Sequence, residues 1–420
     1  MFSYSRWHQS LVDTTPHTVF ESKAQRDGRS LSHKCASLAA VLLLTSGTVA
    51  TFGQTTHTEK FRFLNVADSS QGFSTFTQFP AINNDGAVAF EATGPAFEAP
   101  GGTFGDGVFK WRDGVLTPLA TTASGLSLFG IDPVINDLGV VAYEANLNAL
   151  TRVILTSDGV STKTIFNSTN QGVIGRFLGS PSINRSGTIA FSVFRDDFSQ
   201  AILRGDGDPP TVVADTVNSN FTAFQNAAIN DFGKVTFVAD STDGSTGLFT
   251  ISTRTRRADG SADAPHDLVD IVDTNNPDFA GFGDPVINRF DTVADDAFRS
   301  DNSVEILSGN RRGITARTDI VNPAFTQFEH PSINDSNAVA FFGITNNNTQ
   351  GVFLEMTGGA SPIPVIQTGD TLFGSTVTGV DLGRFALNDR FQLAFEYTLS
   401  NGRTGIAIAS LRSAEDGEGR

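Results

Sequence analysis

Short apolar stretches separated by turn residues run through most of the chain, and one such pattern occurs seven times. In each copy an Ile or Leu precedes an Asn, and an apolar stretch typified by Val-Ala-Phe begins about five positions later. An Asn side chain can close a tight turn, and the Gly three positions later in four copies tolerates left-handed backbone. The pattern therefore predicts a β-hairpin in each copy. The copies are centred on Asn83, Asn136, Asn184, Asn230, Asn288, Asn334 and Asn388.

A third apolar stretch of strand length follows each hairpin and a fourth follows in the first six copies, without the spacing of an amphipathic helix. The copies recur about every 50 residues, a period typical of stacked or circular repeat proteins. Four short strands per period, repeated seven times, predict an all-β fold, a seven-bladed β-propeller with four antiparallel strands per blade. In the second strand of six of the seven hairpins, large residues alternate with a small one, as in Val88–Ala89–Phe90. We therefore expect that strand to be buried on both faces, between neighbouring blades.

The two ends of the repeat region predict how the ring closes. The stretch 60–66, "KFRFLNV", resembles the outer strand of a blade, whereas the last copy ends after its third strand at 404–411. We expect 60–66 to complete the last blade, because closure leaves no exposed sheet edge. The alternative is an open solenoid, which would need capping segments that the sequence does not show.

The first 50 residues differ from the rest of the chain. Lys34 precedes an apolar run at about 36–50 that ends in small residues, a pattern typical of a secretory signal peptide. A membrane anchor is the alternative, although the run is short for a span. We divide the chain into an N-terminal extension with a signal peptide (1–50), the propeller (51–412) and a disordered tail (413–420). Export to the periplasm, the cell envelope or the outside is the predicted location, with no membrane attachment after cleavage.

Composition supports repetition and argues against some partners. The chain has 36 Phe against 3 Tyr and 2 Trp, as expected of one motif copied many times. The 29 basic and 45 acidic residues give a net charge of −16. Such a protein repels phosphate backbones and anionic lipids, so no nucleic-acid or membrane partner is expected.

The frame Pro-x-Ile-Asn-Asp-x-Gly-x-Val-Ala-Phe resembles the units of uncharacterised tandem-repeat proteins that many bacteria export. It is similar, more distantly, to the WD40-like repeat of TolB-type periplasmic propellers. The chain departs from that repeat in having one residue fewer between Pro and Phe and no Trp after the Pro. The first resemblance covers about 61–411 and implies a propeller and export, but no activity and no functional residues.

Candidate chemistry is sparse. The sequence has no G-x-S-x-G, H-E-x-x-H or phosphate-binding Gly loop, and His266 and His330 are the only histidines after residue 60. Catalysis would therefore need carboxylates or Ca²⁺, and no other cofactor is expected.

The fifth copy breaks the pattern with carboxylates. Asp295 stands where the other six copies have an aromatic residue, with Asp291 in the turn and Asp296 beside it. A buried carboxylate needs compensation. One interpretation is a Ca²⁺ or general-acid site formed by these three residues. The other is a shift of register, in which Phe298 fills the aromatic position and the Asp pair points outward.

The residue before the Pro position differs from copy to copy and is mostly polar, whereas the residues that follow it are similar in every copy. Variable polar residues at fixed positions are typical of a binding surface. We expect these residues to circle one mouth of the central channel and bind a ligand; the alternative is a solvated ring that serves solubility alone. Asp132, Asn226, Asp284, His330 and Arg384 are the best candidates. The remaining two are Phe79 and Ser180.

These observations favour a monomeric binding or scaffold module for a protein or glycan partner. The alternative is a carboxylate- or Ca²⁺-dependent hydrolase or lyase that acts on sugars or phosphoesters. A purely structural surface repeat is the third possibility. The sequence leans against an enzyme without deciding the question.

Overall fold

The computed structural model describes residues 60–99, 103–127, 129, 132–170, 173–177, 179–207, 209–252, 267–318, 325–356 and 361–412. The predicted signal peptide and tail lie outside the described residues. Within them, the strands form seven antiparallel sheets arranged in a ring, and the only helices are short 3₁₀ turns at Ser69–Gln71, Thr122–Ser124 and Ser168–Asn170. Among the described residues, no helix has the length and hydrophobicity needed to cross a lipid bilayer.

The seven sheets are the blades of the predicted propeller. Strand β1, Phe61–Asp68, precedes the first blade in the chain and belongs to the last. Blade 1 contains β2 Thr75–Ile82, β3 Val88–Ala99, β4 Thr103–Arg112 and β5 Val115–Thr121. Blade 2 contains β6 Val134–Ile135, β7 Val141–Asn148, β8 Thr151–Ser157 and β9 Thr162–Asn167. Blade 3 contains β10 Val173–Phe177, β11 Ser182–Ile183, β12 Ile189–Arg195, β13 Gln200–Gly205 and β14 Thr211–Asp215.

The remaining blades follow the same order, from an inner strand at the channel to an outer strand. Blade 4 contains β15 Phe221–Ile229, β16 Lys234–Ser241, β17 Thr246–Ser252 and β18 Leu268–Asp273. Blade 5 contains β19 Phe279–Phe282, β20 Val286–Ile287, β21 Val293–Arg299, β22 Val304–Asn310 and β23 Gly313–Thr318. Blade 6 contains β24 Phe325–Ile333, β25 Val339–Thr345, β26 Gln350–Glu355 and β27 Ile363–Gln367. Blade 7 contains β28 Thr371–Leu372, β29 Ser375–Asp381, β30 Gln392–Leu399 and β31 Thr404–Leu411.

The closure predicted from the chain ends is confirmed. Strand β1 pairs antiparallel with β31, from Phe61 opposite Leu411 to Asp68 opposite Gly405. The order of the last sheet is β1, β31, β30, β29 and β28, so the N-terminal strand supplies the outer strand of blade 7. The ring therefore has no free edge at the junction of its two ends.

The apolar core lies between the blades, in one cluster for each of the seven interfaces. In blade 6, Val339 and Phe341 pack towards blade 5, whereas Ala340 between them packs towards blade 7. This confirms the predicted alternation of large and small residues on the two faces of the second strand. Burying one Phe side chain contributes about 1.5–3 kcal/mol, so the interfaces stabilise the ring strongly.

The seven Asn residues that define the repeat form a closed ring of hydrogen bonds, here called the Asn ring. Each Nδ2 donates to the backbone carbonyl of the Asn in the next blade, from Asn83 to Asn136 (2.8 Å) and finally from Asn388 back to Asn83 (2.8 Å). Each Oδ1 accepts from the N–H four residues on, which closes the turn. One side chain thus shapes its own hairpin and fastens it to the neighbouring blade.

The fifth blade keeps the register of the others. Strands β21 and β22 pair without interruption from Val293 to Phe298, and Asp295 lies opposite Leu307 as Phe341 lies opposite Phe353 in blade 6. Asp295 is fully buried, whereas Phe298 is 44% exposed. The shift of register considered above is therefore wrong, because the backbone ladder is kept at the expense of burying a carboxyl group.

Candidate functional site

The residues before the Pro position converge at one end of the channel, here called the proline end. The rings of Phe79 in blade 1 and His330 in blade 6 lie 4.7 Å apart between centroids, although blade 7 separates the two blades. Asp132 accepts from the N–H of Phe79 (3.1 Å) and the hydroxyl of Ser180 (3.2 Å). In each blade this residue stands four positions before the Asn of the Asn ring, so the seven positions are equivalent around the channel.

The other half of the ring contributes to the same group. Asn226 donates from Nδ2 to Asp284 (2.5 Å), and Arg384 lies close enough to interact electrostatically with Asp132. We call these seven residues the proline-end cluster. It comprises Phe79, Asp132, Ser180, Asn226, Asp284, His330 and Arg384.

Arg384 crosses the centre of the ring. Its side chain comes from blade 7, and Nη2 donates to the carbonyls of Pro285 in blade 5 (2.6 Å) and Ala227 in blade 4 (3.5 Å). Only 5% of the residue is exposed, and neither Nε nor Nη1 has a hydrogen-bonding partner among the described residues. Since a guanidinium stays charged, Arg384 is a buried cation held among carboxylates.

Phe385 fills the channel beside Arg384. It packs against the cores between blades 1 and 2, between blades 2 and 3, and between blades 5 and 6. Its carbonyl accepts the N–H of Ile82 in blade 1 (2.9 Å). The sequence analysis missed this plug. The signal was the seventh copy itself, which has Phe385 where five copies have Pro.

Carboxyl groups of the fifth blade border the proline-end cluster. Neither oxygen of Asp295 has a hydrogen-bonding partner among the described residues. Burial raises the pKa of Asp295 well above its ordinary value; the charges of Asp296 and Asp284 add to the rise, and that of Arg384 opposes it. Burial and the charge of Asp284 raise the pKa of Asp296 to about 6, although His330 opposes this.

Asp296 requires a glycine beside it. A Cβ atom on Gly283 would come within 2.3 Å of its carboxylate, and the N–H of Gly283 donates to the backbone carbonyl of Asp296 (2.8 Å). The close contact holds this carboxyl group against the backbone at Gly283, directly after β19.

Asp291, the third member of the predicted metal site, lies apart from the other two. It sits in the hairpin turn at φ 67° and binds Lys234 Nζ (2.6 Å) and Asn230 Nδ2 (2.9 Å). Over the part of the chain that the structure describes, no three His, Cys, Asp or Glu side chains are grouped as metal ligands. A Ca²⁺ or general-acid site at Asp291, Asp295 and Asp296 stays a prediction.

The opposite end of the channel, here called the turn end, opens into a cavity of about 160 Å³. Its walls are the Asn ring and the residues directly before and after each Asn, and Phe385 adds apolar surface to that of the Ile and Leu residues before each Asn. The residues that follow the Asn ring form a second ring. Its members are Asn84, Asp137, Arg185, Asp231, Arg289, Asp335 and Asp389.

The second ring also joins neighbouring blades, and the sequence analysis did not detect it. The N–H of Asn84 donates to Asp137 (2.9 Å), for example, and the N–H of Asp335 donates to Asp389 (2.7 Å). Burial raises the pKa of Asp335 to about 6, and the nearby charge of Asp389 adds to this. Arg289 opposes the rise, with Nε 2.9 Å from the carboxylate.

Solved structures of differently named proteins, two enzymes among them, are similar to this chain. Oligogalacturonate lyase from Vibrio parahaemolyticus has a TM-score of 0.52 and 13% identity, over 84% of this chain and 98% of the lyase. Prolyl oligopeptidase B from Galerina marginata has a TM-score of 0.51 and 11% identity, over 83% of this chain and 50% of the peptidase. TolB from Acinetobacter baumannii has a TM-score of 0.41 and 12% identity, over 78% of this chain and 80% of TolB. At such identities the likeness concerns the fold alone.

Sequence comparison leads to a family without an assigned activity. No curated protein matches the chain. Residues 65–314, more than half of the chain, match a family described as "Family of unknown function (DUF7453)". The chain belongs to this family of unknown function.

Proposed function

We propose that this protein is an exported β-propeller that binds a protein or glycan partner at the proline end of its ring. The observation that carries the proposal is the convergence of the proline-end cluster. Seven side chains of six kinds project from equivalent positions of the seven blades and come together at this end of the channel. A rigid frame with variable polar groups is how many binding surfaces are built.

Unused hydrogen-bonding capacity supports a binding role over a purely structural one. Among the described residues, Asn226 Oδ1, His330 Nδ1 and two nitrogens of Arg384 have no partner. Each buried polar group without a partner costs about 1–3 kcal/mol. A ring that served solubility alone would place such groups in water, where they cost nothing.

Rigidity of the frame favours affinity. The Asn ring fixes the inner strands, so the cluster loses little freedom when a partner binds. Export is supported by the signal-peptide pattern at about 36–50 alone. Binding outside the cytoplasm would be consistent with a processed chain that has no cysteine.

A screen of the full chain by thermal shift, with neutral and acidic oligosaccharides, peptides and Ca²⁺, tests the proposal. We expect a ligand that raises the melting temperature, and we expect this shift to be lost in the double variant Asp132→Asn, His330→Ala. Asp301→Asn is the matched control. It changes an exposed aspartate whose bonds reach only its own turn at Ser303, so the shift should persist.

A ligand shift that survives the double variant would move the binding site elsewhere and contradict the proposal. The enzyme alternative is favoured by one observation, the pKa of about 6 at Asp296 beside Asp284 and His330. A carboxyl group that titrates near neutrality can act as a general acid. Turnover of a sugar or phosphoester in the same screen, abolished in Asp296→Asn, would establish that alternative.

A further inference from the structure

The second ring repeats one hydrogen bond around the turn end. At five of the seven junctions, the backbone N–H of one ring member donates to the side-chain oxygen of the ring member in the next blade. Four of these acceptors are carboxylates and one is an amide. The five bonds run from Asn84 to Asp137 (2.9 Å), Arg185 to Asp231 (2.8 Å), Arg289 to Asp335 (3.1 Å), Asp335 to Asp389 (2.7 Å) and Asp389 to Asn84 (2.7 Å).

Two junctions lack this acceptor because the next ring member is an arginine. The N–H of Asp137 faces the position of Arg185, and the N–H of Asp231 faces that of Arg289. A guanidinium has only donors. Among the described residues, neither N–H has a hydrogen-bond acceptor, and all four residues line the cavity at the turn end.

We propose that the turn end binds two carboxylate groups of an acidic protein segment, one at Asp137 N–H with Arg185 and one at Asp231 N–H with Arg289. The five complete junctions show which chemistry fits this place, because a carboxylate or amide oxygen occupies it there. An arginine adjacent to each open N–H supplies a charged, forked donor for the same carboxylate. This site lies at the opposite end of the channel from the proline-end cluster, so it goes beyond the proposed function.

The surroundings of the two junctions favour a protein as the occupant. Leu138, Phe232 and Phe290 follow the ring on the same turns and are 65%, 76% and 57% exposed. The guanidinium of Arg289 lies 4.8 Å from the ring centre of Phe290. Exposed aromatic residues with arginine are enriched in protein interfaces and dominate their binding energy. An acidic segment with apolar residues between its carboxylates would contact both the arginines and the exposed apolar side chains.

The carboxylates of the second ring are already engaged. Asp137 accepts from the N–H and Nδ2 of Asn84, and Asp231 accepts from the N–H of Arg185. Arg185 is exposed and has no ion-pair partner among the described residues, whereas Arg289 is shared with Asp335. We therefore expect the junction at Arg185 to contribute more to binding than the junction at Arg289.

The substitutions Arg185→Asn and Arg289→Asn test the inference without any ligand. Asparagine would supply the missing oxygen, as Asn84 does for Asp389 (2.7 Å). Arg185→Asn should raise the melting temperature of the full chain by about 1–3 °C, the effect of one additional hydrogen bond. Arg289→Asn should raise it less, because that variant also loses the ion pair between Arg289 and Asp335. Arg390→Asn is the matched control on the same face. Arg390 contacts Asp85 at 3.5 Å and has no open junction to complete, so its loss should give no rise.

Calorimetric titration then tests the occupant, with a blocked peptide of alternating Glu and Leu, its Gln–Leu counterpart and trigalacturonate. We expect the Glu peptide alone to bind, and the double variant Arg185→Asn, Arg289→Asn to weaken it at least tenfold while Arg390→Asn does not. Binding of trigalacturonate in place of the peptide would overturn the protein occupant. Failure of every probe to bind, or equal binding by the double variant, would overturn the site itself. None of these outcomes bears on the proline-end cluster, which the double variant leaves unchanged.

Discussion

Asp295 occupies a position that an aromatic side chain fills in the other six blades. Those residues are Phe90, Tyr143, Phe191, Phe237, Phe341 and Phe395. In place of an aromatic ring, blade 5 buries a carboxyl group without a hydrogen-bonding partner among the described residues. The group stays protonated more readily than in water, because desolvation disfavours its charged form. A buried carboxyl group without a hydrogen-bonding partner lowers the stability of the fold. Proteins that have such a group commonly use it at a functional site.

Replacing Asp295 with leucine, an apolar residue smaller than the aromatic residues at this position in the other blades, should stabilise the protein. We expect the free energy of unfolding to rise by about 2 kcal/mol at pH 8, because an uncompensated buried polar group is removed. Urea denaturation measures the change. Asp295→Asn is the control that removes the charge but keeps the polarity, and it should recover only part of the gain. A less stable leucine variant would show that the carboxyl group is compensated.

The gain from Asp295→Leu should depend on pH, with a sign that follows from linkage. An unfolded aspartate has a pKa near 4, whereas burial raises the pKa of folded Asp295 well above it. The folded state thus binds this proton more tightly, and its contribution is complete below about pH 4 and is lost as the pH rises through the folded pKa. The leucine variant should therefore gain less at pH 5 than at pH 8.

At the scale of elements, the hairpin turn is the unit that links blades. Asn334 shows how one side chain serves two purposes. Its Oδ1 accepts from the N–H groups of Ser336 and Ala338, which shapes the turn, and its Nδ2 donates to the carbonyl of Asn388 in the next blade (3.2 Å). The bonds to Ala338 and Asn388 are buried, so their loss leaves buried groups unsatisfied.

Substituting Asn334 with alanine should lower the free energy of unfolding by about 2–4 kcal/mol, through the loss of three hydrogen bonds at a buried site. Asn401→Ala is the matched control. Its Oδ1 accepts one bond, from the N–H of Arg403 (3.1 Å), in an exposed turn, and its loss should cost less than about 1 kcal/mol. Chemical denaturation of the two variants compares the costs. Equal costs would mean that Asn334 acts only within its own turn.

The elements were predictable from sequence because their signals are local. An Asn followed by a left-handed position and an apolar stretch predicts a hairpin within about ten residues, and the repetition predicts the ring. Contacts between blades join residues about 50 positions apart, and no local pattern specifies them. Arg384 illustrates the limit. Because Arg384 stands before the Pro position, the sequence predicts that it lies at the proline end. Its hydrogen bond to Pro285 on the other side of the channel depends on the diameter of the ring and on Phe385 beside it.

The whole molecule depends on a junction between its two ends. Asp68 in β1 is buried and accepts from Ser70 N–H (2.7 Å), Asn65 Nδ2 (2.6 Å) and Arg403 Nε (2.8 Å). Arg403 stands at the start of β31, so this ion pair fastens the N-terminal strand to the last blade. In a closed ring every blade has two neighbours, whereas an opened ring resembles a solenoid that can unravel from its ends.

Substituting Asp68 with alanine should therefore destabilise every blade together. The variant loses the hydrogen bonds that Ser70, Asn65 and Arg403 donate to the buried carboxylate, which together should cost about 3 kcal/mol. Amide hydrogen exchange measures where the cost appears. If closure governs stability, amides in Lys234–Ser241 of blade 4 should lose as much protection as those in Thr404–Leu411.

Asp197→Ala, which removes a turn bond to Ser199 in blade 3, should change exchange only locally. Loss of protection confined to the two terminal strands in the Asp68 variant would mean that six blades are stable without the seventh, and the ring would then be a sum of independent interfaces.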